Sequence, residues 1–323
     1  MDRCHHPMGG RIPINTALFE RFVALRHRYT GEPEALLRPA LAAGLHSLTR
    51  GDIEHLAAAM DDGASLPQRL RAAVLPDTVL PRQQELESAI FETLCQATHL
   101  DGPENALHRH FRMVRPHGDY LVVHLSPESV EALVGKLLPS EGDDGYSGYP
   151  GLRVRAFRRH AELYFADGAP GVAVHLAQVH WGLWREVSEG RRWLGNDTEP
   201  LTPDELRAME IRRSSAETAR LGSALLRRLG MFSGLPLAIM GADLCYVDWR
   251  NRPSRGELAE LLTHPVAGIG ATGYRRVAGH LVVDAAPGRV VLHGPTRHTW
   301  RSADPCRRVS ATCGSDQPKR PEM

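Results

Sequence analysis

Two stretches of the chain, DGAPGVAV (167–174) and DAAPGRVV (284–291), agree at most positions and carry the same Pro-Gly turn. In the first, Pro170 and Gly171 stand at the second and third positions of a four-residue turn, as a type II turn requires. Strand-like apolar residues flank both turns. The sequence therefore predicts two β-hairpins of similar design. Chance convergence on a common turn is the alternative, because turns use few residue types.

A strand-like run and a capped helix precede each hairpin. In the first case YLVVHL (120–125) is followed by Ser126, which can cap a helix, and by Pro127, whose missing N–H costs nothing at a first helical position. In the second case LCYVDW (244–249) leads to the capping box SRGE (254–257). Each hairpin thus belongs to a larger unit that begins with a strand and a helix.

Glycine-rich loops, SEGDDGYSGYPG (140–151) and AGIGATGYRR (267–276), connect each helix to its hairpin. The second loop contains the letters of a dinucleotide-binding fingerprint, but a helix precedes it and no helical pattern follows, so we predict a turn. The order predicts two β-α-β-β units at 119–184 and 241–301, together forming an α+β domain over 119–301.

The rest of the chain is dominated by helical patterns. Apolar stripes at helical spacing run through 1–50 and through a helical region at 51–118, and capping boxes mark a helical spacer at 185–240. Residues 302–323 are polar, and we expect a loose tail. The predicted fold class is α+β: a mostly helical N-terminal region followed by two β-α-β-β-like units separated by a helical spacer.

Composition limits the classes of protein that the chain can represent. Of its 323 residues, 42% are hydrophobic and 24% charged, which is ordinary globular usage and excludes wholesale disorder. The N-terminus lacks the apolar core of a secretory signal, and no apolar run is long enough to span a membrane. Five scattered cysteines do not form a disulfide framework. We therefore expect a cytoplasmic protein with no membrane partner.

Arginine supplies nearly all of the basic residues, since only Lys136 and Lys319 are lysine. A GC-rich bacterial genome explains this bias, and so does recognition of phosphate or carboxylate by arginine forks. The formal net charge of +1 excludes a bulk polycation but allows a local basic face. Arginines lie near tryptophans in sequence, which suits a single-stranded or phosphate-bearing ligand, whereas a solvated face is the alternative. The nucleic-acid candidates in this group are Arg153, Arg155, Arg158 and Arg252.

The segment 11–46, which contains RIPINTALFERFVALRHRYTGEPEALLRPALAAGL, resembles a ribbon-helix-helix DNA-binding element. The order of a short strand, an amphipathic helix, a Thr-Gly turn and a second helix carries the resemblance. In that family, a dimer lays paired strands into the major groove. The resemblance implies that Arg11 and Asn15 face bases and that Thr30 and Gly31 lie near phosphate, with DNA and a second copy of the chain as partners. A plain helical hairpin is the alternative.

No catalytic motif is present, and catalytic residues and cofactors stay unassigned. Nucleophile elbows and Walker-type phosphate loops are absent. The 17 histidines lack metal-ligand spacing, so we predict no metal site. An enzyme is nevertheless an open alternative, because paired units resemble the vicinal-oxygen-chelate superfamily. That resemblance implies a metal-holding cup with ligands drawn from His124, Glu162, His175 and His293.

The sequence favours a DNA-associated regulatory or mobile-element protein of a GC-rich bacterium. The N-terminal element would contact DNA, and the paired units would serve dimerisation or ligand sensing. A metal-dependent enzyme and a non-catalytic scaffold are the alternatives.

Overall fold

The computed structural model describes residues 15–100, 111–142, 145–168, 171–188, 200–211, 216–232, 236–249, 253–285 and 288–293. The helices in these ranges are α1 (Thr16–Thr30), α2 (Glu34–His46), α3 (Arg50–Asp62), α4 (Gln68–Val74), α5 (Pro81–Leu100), α6 (Pro127–Leu137), α7 (Trp181–Ser188), α8 (Pro203–Ile211), α9 (Ala216–Leu226) and α10 (Arg255–Thr263), with a short 3-10 helix at Leu229–Met231. The predicted tail at 302–323, and the strand that would carry Arg11, lie outside the described residues.

Local signals explain where the first helices begin and end. The side chain of Asn15 accepts a hydrogen bond from the N–H of Ala17 at 2.9 Å, and Thr49 with Asp52 forms a capping box for α3. Gly31 and Gly63 close α1 and α3 in the left-handed conformation, with φ of 73° and 72°. The apolar faces of α1 to α4 then form a second core with Val266, which follows α10. The helical residues in it are Phe22, Val23, Leu37, Leu41, Leu45, Leu56, Ala59, Leu70 and Val74.

Two five-stranded sheets follow, and they have the same topology. The strands are β1 (Phe111–Pro116), β2 (Tyr120–Leu125), β3 (Ser140–Gly142), β4 (Gly145–Ser147), β5 (Leu152–Ala156), β6 (His160–Phe165), β7 (Ala173–Ala177), β8 (Leu237–Met240), β9 (Leu244–Asp248), β10 (Gly273–Val277), β11 (His280–Ala285) and β12 (Gly288–His293). The first sheet has the order β1-β2-β7-β6-β5 and the second β8-β9-β12-β11-β10, while β3 and β4 pair separately. In each unit a hairpin, a helix and three further strands follow one another, and the last strand returns parallel to the second. The predicted α+β class with two similar units is confirmed.

Each unit has two more strands than the sequence predicted. β1 and β8 precede the strands read from sequence, and β8 lies within the range assigned to the helical spacer. The run from Leu152 to Phe165 is two strands, β5 and β6, which pair antiparallel across the turn at 157–159. The sequence did not reveal this division, because the run contains no glycine or proline that would mark a turn. Arginines occupy the end of β5 and the turn instead.

The two Pro-Gly turns differ in detail. Gly171 has φ of 88°, the left-handed conformation that the third position of a type II turn requires. Gly288 instead begins β12 and pairs with Ala285. A methyl group on Gly288 would lie 2.6 Å from Cδ1 of Leu221, so glycine allows α9 to approach the sheet. Ala169, Pro170, Ala286 and Pro287 lie outside the described residues.

Helices α5 and α9 join the two sheets into one core. The buried apolar residues of both sheets and both helices form a single cluster. The helices are in close contact at Gly222, where a methyl group would lie 2.7 Å from Cβ of Ser88. Among the described residues, no helix combines the length and apolar character needed to cross a membrane.

Candidate anion-binding site

A cavity of about 340 Å³ lies where the N-terminal helices meet α9 and the glycine-rich loop of the second unit. Helix α4, the segment after it, α9 and the loop at 269–270 each contribute to the wall. The lining residues are Gln68, Arg71, Asp77, Thr78, Val79, Gln84, Arg220, Leu221, Ser223, Ala224, Ile269 and Gly270. The cavity therefore combines charged and hydroxyl groups with an apolar side.

Arg71 reaches this cavity from α4. Its Nη2 donates a hydrogen bond to the carbonyl oxygen of Gly268 and lies 3.8 Å from Oδ2 of Asp77. Its Nε is buried and has no hydrogen-bond partner within the part of the chain that the structure describes. Burial, followed by repulsion from Arg228, lowers the pKa of Arg71. The surroundings of Arg71 thus disfavour the charged form of its guanidinium group.

Arg220 approaches from α9. Its Nη2 donates to the carbonyl oxygen of Ala285 at 3.3 Å. Burial lowers the pKa of Arg220, and the carboxylates of Asp77 and Glu217 do not offset that effect. Arg71 and Arg220 therefore reach one cavity from different elements, and burial there disfavours the charged form of both side chains.

The carboxylate of Asp77 is already engaged. Arg228 holds it with two hydrogen bonds, Nη1 to Oδ1 at 2.6 Å and Nη2 to Oδ2 at 2.9 Å. Burial alone would raise the pKa of Asp77, but Arg228 and Arg71 lower it overall, so the carboxyl group is ionised. Among the described residues that line the cavity, Arg71 and Arg220 are the basic ones and Asp77 is the acidic one.

The glycine-rich loop forms one wall of the cavity. Gly270 has φ of 77°, and a methyl group there would lie 2.7 Å from Nη1 of Arg71. The sequence predicted a turn at this loop but did not assign Arg71, Asp77 or Arg220 to a site. Arg71 and Asp77 are six residues apart, but Arg220 and the loop at 269–270 are far from them in sequence, so no local spacing connects the whole set. The dense glycines of the loop were the one local signal of a close approach.

Three residues of the ribbon-helix-helix resemblance lie at the first helical hairpin. Asn15 is exposed and caps α1. Thr30 is fully buried; its hydroxyl group donates to the carbonyl oxygen of Arg26 at 2.9 Å and accepts from the N–H of Glu32 at 3.2 Å. The 3-10 helix covers the turn, since a methyl group on Gly230 would lie 2.5 Å from the nitrogen of Gly31. Thr30 therefore serves in packing, and Gly31 closes α1 next to the 3-10 helix.

The arginine candidates of the first unit divide into one buried and two exposed residues. Arg153 is 1% exposed and donates to both carboxylate oxygens of Glu205, at 2.8 and 3.0 Å. We therefore assign Arg153 to an internal ion pair. Arg155 is exposed, with its guanidinium group 4.8 Å from the ring centre of Tyr164, and Arg158 is exposed in the β5–β6 turn. Arg11 and Arg252 lie outside the described residues.

Metal ligands implied by the enzyme alternative are divided between the sheets. His175 and Glu162 lie on the first sheet, with 3.8 Å between Nε2 and Oε1. His293 lies on the second sheet, where its Nδ1 is 3.2 Å from Nδ1 of His280. His124 lies on β2. Within the described ranges, no three His, Cys, Asp or Glu side chains are arranged to hold a metal ion.

Aromatic rings form a continuous row across the first sheet, on the face opposite the core. The row runs from His117 through Tyr120, His175 and His160 to Phe157, with successive ring centres 4.2, 5.0, 5.0 and 4.7 Å apart. Such cross-strand contacts stabilise a sheet. Burial lowers the pKa of His117 to about 4. The second sheet carries a shorter row of Tyr246, His293 and His280.

Comparison of the chain with protein-family models, with curated proteins and with solved structures finds no match.

Proposed function

We propose that the protein is a binding protein for a small anion, and that a phosphate or carboxylate group of the ligand lies between Arg71 and Arg220. The observation that carries this proposal is the convergence of two guanidinium groups, both with a lowered pKa, on one cavity. Perturbed titratable groups in a cleft are typical of functional sites.

An anion in the cavity would relieve the penalty on both arginines. Burial disfavours a positive charge unless an opposite charge compensates it, and Asp77 is already bound by Arg228. The planar arginine fork also matches the oxygen geometry of phosphate and carboxylate. The buried Nε of Arg71 is a further donor that such a ligand could engage. A neutral ligand would not provide an opposite charge for these two side chains.

The size and composition of the cavity favour binding over catalysis. Its volume of about 340 Å³ is at the lower end of the roughly 300–1,000 Å³ of ligand cavities in proteins. Leu221, Ala224 and Ile269 offer an apolar surface to the rest of the ligand. Among the described residues that line the cavity, none is a histidine or cysteine that could act as general base or nucleophile beside a second catalytic group. We therefore favour ligand sensing over turnover.

Isothermal titration calorimetry tests this proposal with inorganic phosphate and with succinate as probes. We expect one site per chain, and a loss of binding of about tenfold or more in Arg71→Gln and Arg220→Gln. Arg69→Gln is the matched control, because Arg69 is on the same helix but pairs with Asp52 outside the cavity. Binding that both cavity variants retain, or no binding of either probe at millimolar concentration, would overturn the proposal.

Contact with nucleic acid is a second candidate function. It is supported by the exposed side chain of Phe157 at the end of the ring row, beside the exposed Arg155, Arg158 and Arg159. Arginines beside an exposed ring suit a single strand. The test is the affinity for a single-stranded oligonucleotide as a function of salt. We expect a steep decrease with salt that becomes shallower in Arg158→Ala; an affinity that does not depend on salt would remove this candidate.

A further inference from the structure

Strand β10 is an edge of the second sheet that is exposed on both faces. Among the described strands, it pairs with β11 alone. Tyr274 is 45% exposed and Val277 is 42% exposed, and the two arginines between them are also exposed. Natural sheets usually cover or shorten such an edge, because its outward N–H and C=O groups can pair with another chain.

The corresponding strand of the first unit, β5, is covered. In the backbone register of the sheets, Arg153 lies opposite Tyr164 on β6, and Gly273 lies opposite Asp284 on β11. Tyr164 and Asp284 occupy the same position, since each is the fifth residue of a six-residue strand. Gly273 therefore stands where the first unit has Arg153. The side chain of Arg153 lies beneath the segment that enters α8, where Glu205 binds it.

The segment that covers β5 in the first unit contacts it through side chains of α8. The carboxylate of Glu205 accepts hydrogen bonds from the N–H of Gly151 at 3.1 Å and from Arg153, and Met209 packs over Gly151. The cover is thus an acidic segment of the same chain that binds Arg153 and the N–H of Gly151, the residue before β5. Among the described residues, none takes this role at β10.

We propose that β10 is a docking edge for an acidic, extended segment of another protein, which adds to the second sheet as a further strand. Main-chain hydrogen bonds to the open side would provide affinity, as in other cases of strand addition. Arg276 would select acidic side chains, since it is exposed and forms no ion pair within the described residues, whereas Arg275 is bound to Asp284 at 3.0 Å. This surface is separate from the cavity of Arg71 and Arg220.

Charge favours such a partner over a second copy of the chain. An antiparallel pair of β10 strands centred on Arg275 would place that residue directly opposite its own copy. Like charges in opposite positions destabilise a sheet. An acidic strand could instead place a carboxylate beside Arg276, which forms no ion pair within the described residues.

Fluorescence anisotropy with two labelled synthetic peptides tests the proposal. One peptide is the acidic TVEVEVT. The other is the basic control peptide TVKVKVT, which carries lysine in place of glutamate. We expect the acidic peptide to bind the parent protein, and Arg276→Glu to lower the affinity for this peptide by about tenfold. The same variant should bind the basic control peptide instead. Arg50→Glu is the matched control, because it reverses an exposed charge on α3, outside both sheets.

Amide hydrogen exchange gives a second readout at the backbone. Binding of the acidic peptide should protect the amides of 273–277, and the protection should be the same in Arg71→Gln, so that failure of the anion site does not affect it. Three results would each overturn the proposal: equal affinity for both peptides, no binding up to about 1 mM, or a dimer in sedimentation that Arg276→Glu leaves unchanged.

Discussion

The guanidinium group of Arg227 and the carboxylate of Glu87 form an ion pair with both side chains fully buried, and it joins α9 to α5 between the two sheets. Nη2 lies 2.6 Å from Oε1 and Nε lies 2.7 Å from Oε2, so the pair is bidentate. The hydroxyl group of Ser223 donates to the same carboxylate at 2.6 Å. Arg227 also donates to the carbonyl oxygen of His117, which connects the helix pair to the turn between β1 and β2.

Removal of one partner should be far more costly than removal of both. Arg227→Met leaves the Glu87 carboxylate buried without its charge partner, and we expect a loss of about 3–5 kcal/mol in the free energy of unfolding. The double variant Glu87→Leu/Arg227→Met should recover part of that loss. Urea denaturation measures both. Arg50→Ala, at an exposed pair with Glu54, should change stability by less than about 0.5 kcal/mol; a similar effect at both sites would contradict the role of burial.

Acid should destabilise the fold through His117. Burial, with Arg115, Arg26 and Arg227 nearby, lowers its pKa to about 4, and Asp119 opposes this shift without cancelling it. Between pH 6.5 and about 4 the unfolded chain therefore binds more protons than the folded one. The stability from this residue is present above pH 6.5 and is lost as pH falls through that window. After allowance for solvent screening, we expect an effect on the order of 1 kcal/mol.

Chemical denaturation at pH 7 and pH 4.5 measures this effect. His117→Phe retains a ring to stack on Tyr120 and removes the titration, so its stability should fall less between the two pH values. His55→Gln, an exposed position on α3, should behave as the parent protein does. If His117→Phe loses as much stability in acid as the parent, another group is responsible.

Local signals of the sequence predicted the elements that depend on near neighbours. Ser254 and Glu257 cap α10 as a capping box, and the strands β2 and β9 follow apolar runs. Strand β10 (GYRRV) was missed because both of its faces are exposed, so no apolar alternation marks it. The cavity was missed for a different reason. Arg71, Asp77 and Arg220 converge only through tertiary packing, and a single sequence contains no pattern that connects them.

The contact between α5 and α9 should depend on the absence of a side chain at Gly222. A methyl group there would lie 2.7 Å from Cβ and 2.9 Å from Cα of Ser88, so the helices would have to separate. We expect Gly222→Ala to lower the free energy of unfolding by about 1–3 kcal/mol, although alanine favours a helix. Ser88→Gly in the same chain should restore part of the loss. Thermal denaturation measures both, and a stabilised Gly222→Ala would show that the helices have room.

The last prediction separates backbone strain from ligand contact at Gly270. Gly270→Ala should cost about 1 kcal/mol of stability, because φ is 77° there, and should also displace Arg71, whose Nη1 would lie 2.7 Å from the new methyl group. Phosphate affinity should therefore decrease by about tenfold. Gly63→Ala is the matched control: its φ is 72°, and nothing lies within 4 Å of the added methyl group. It should show a similar loss of stability in thermal denaturation, with phosphate binding unchanged in calorimetry. Equal phosphate affinity in the two variants would mean that the position of Arg71 does not determine binding.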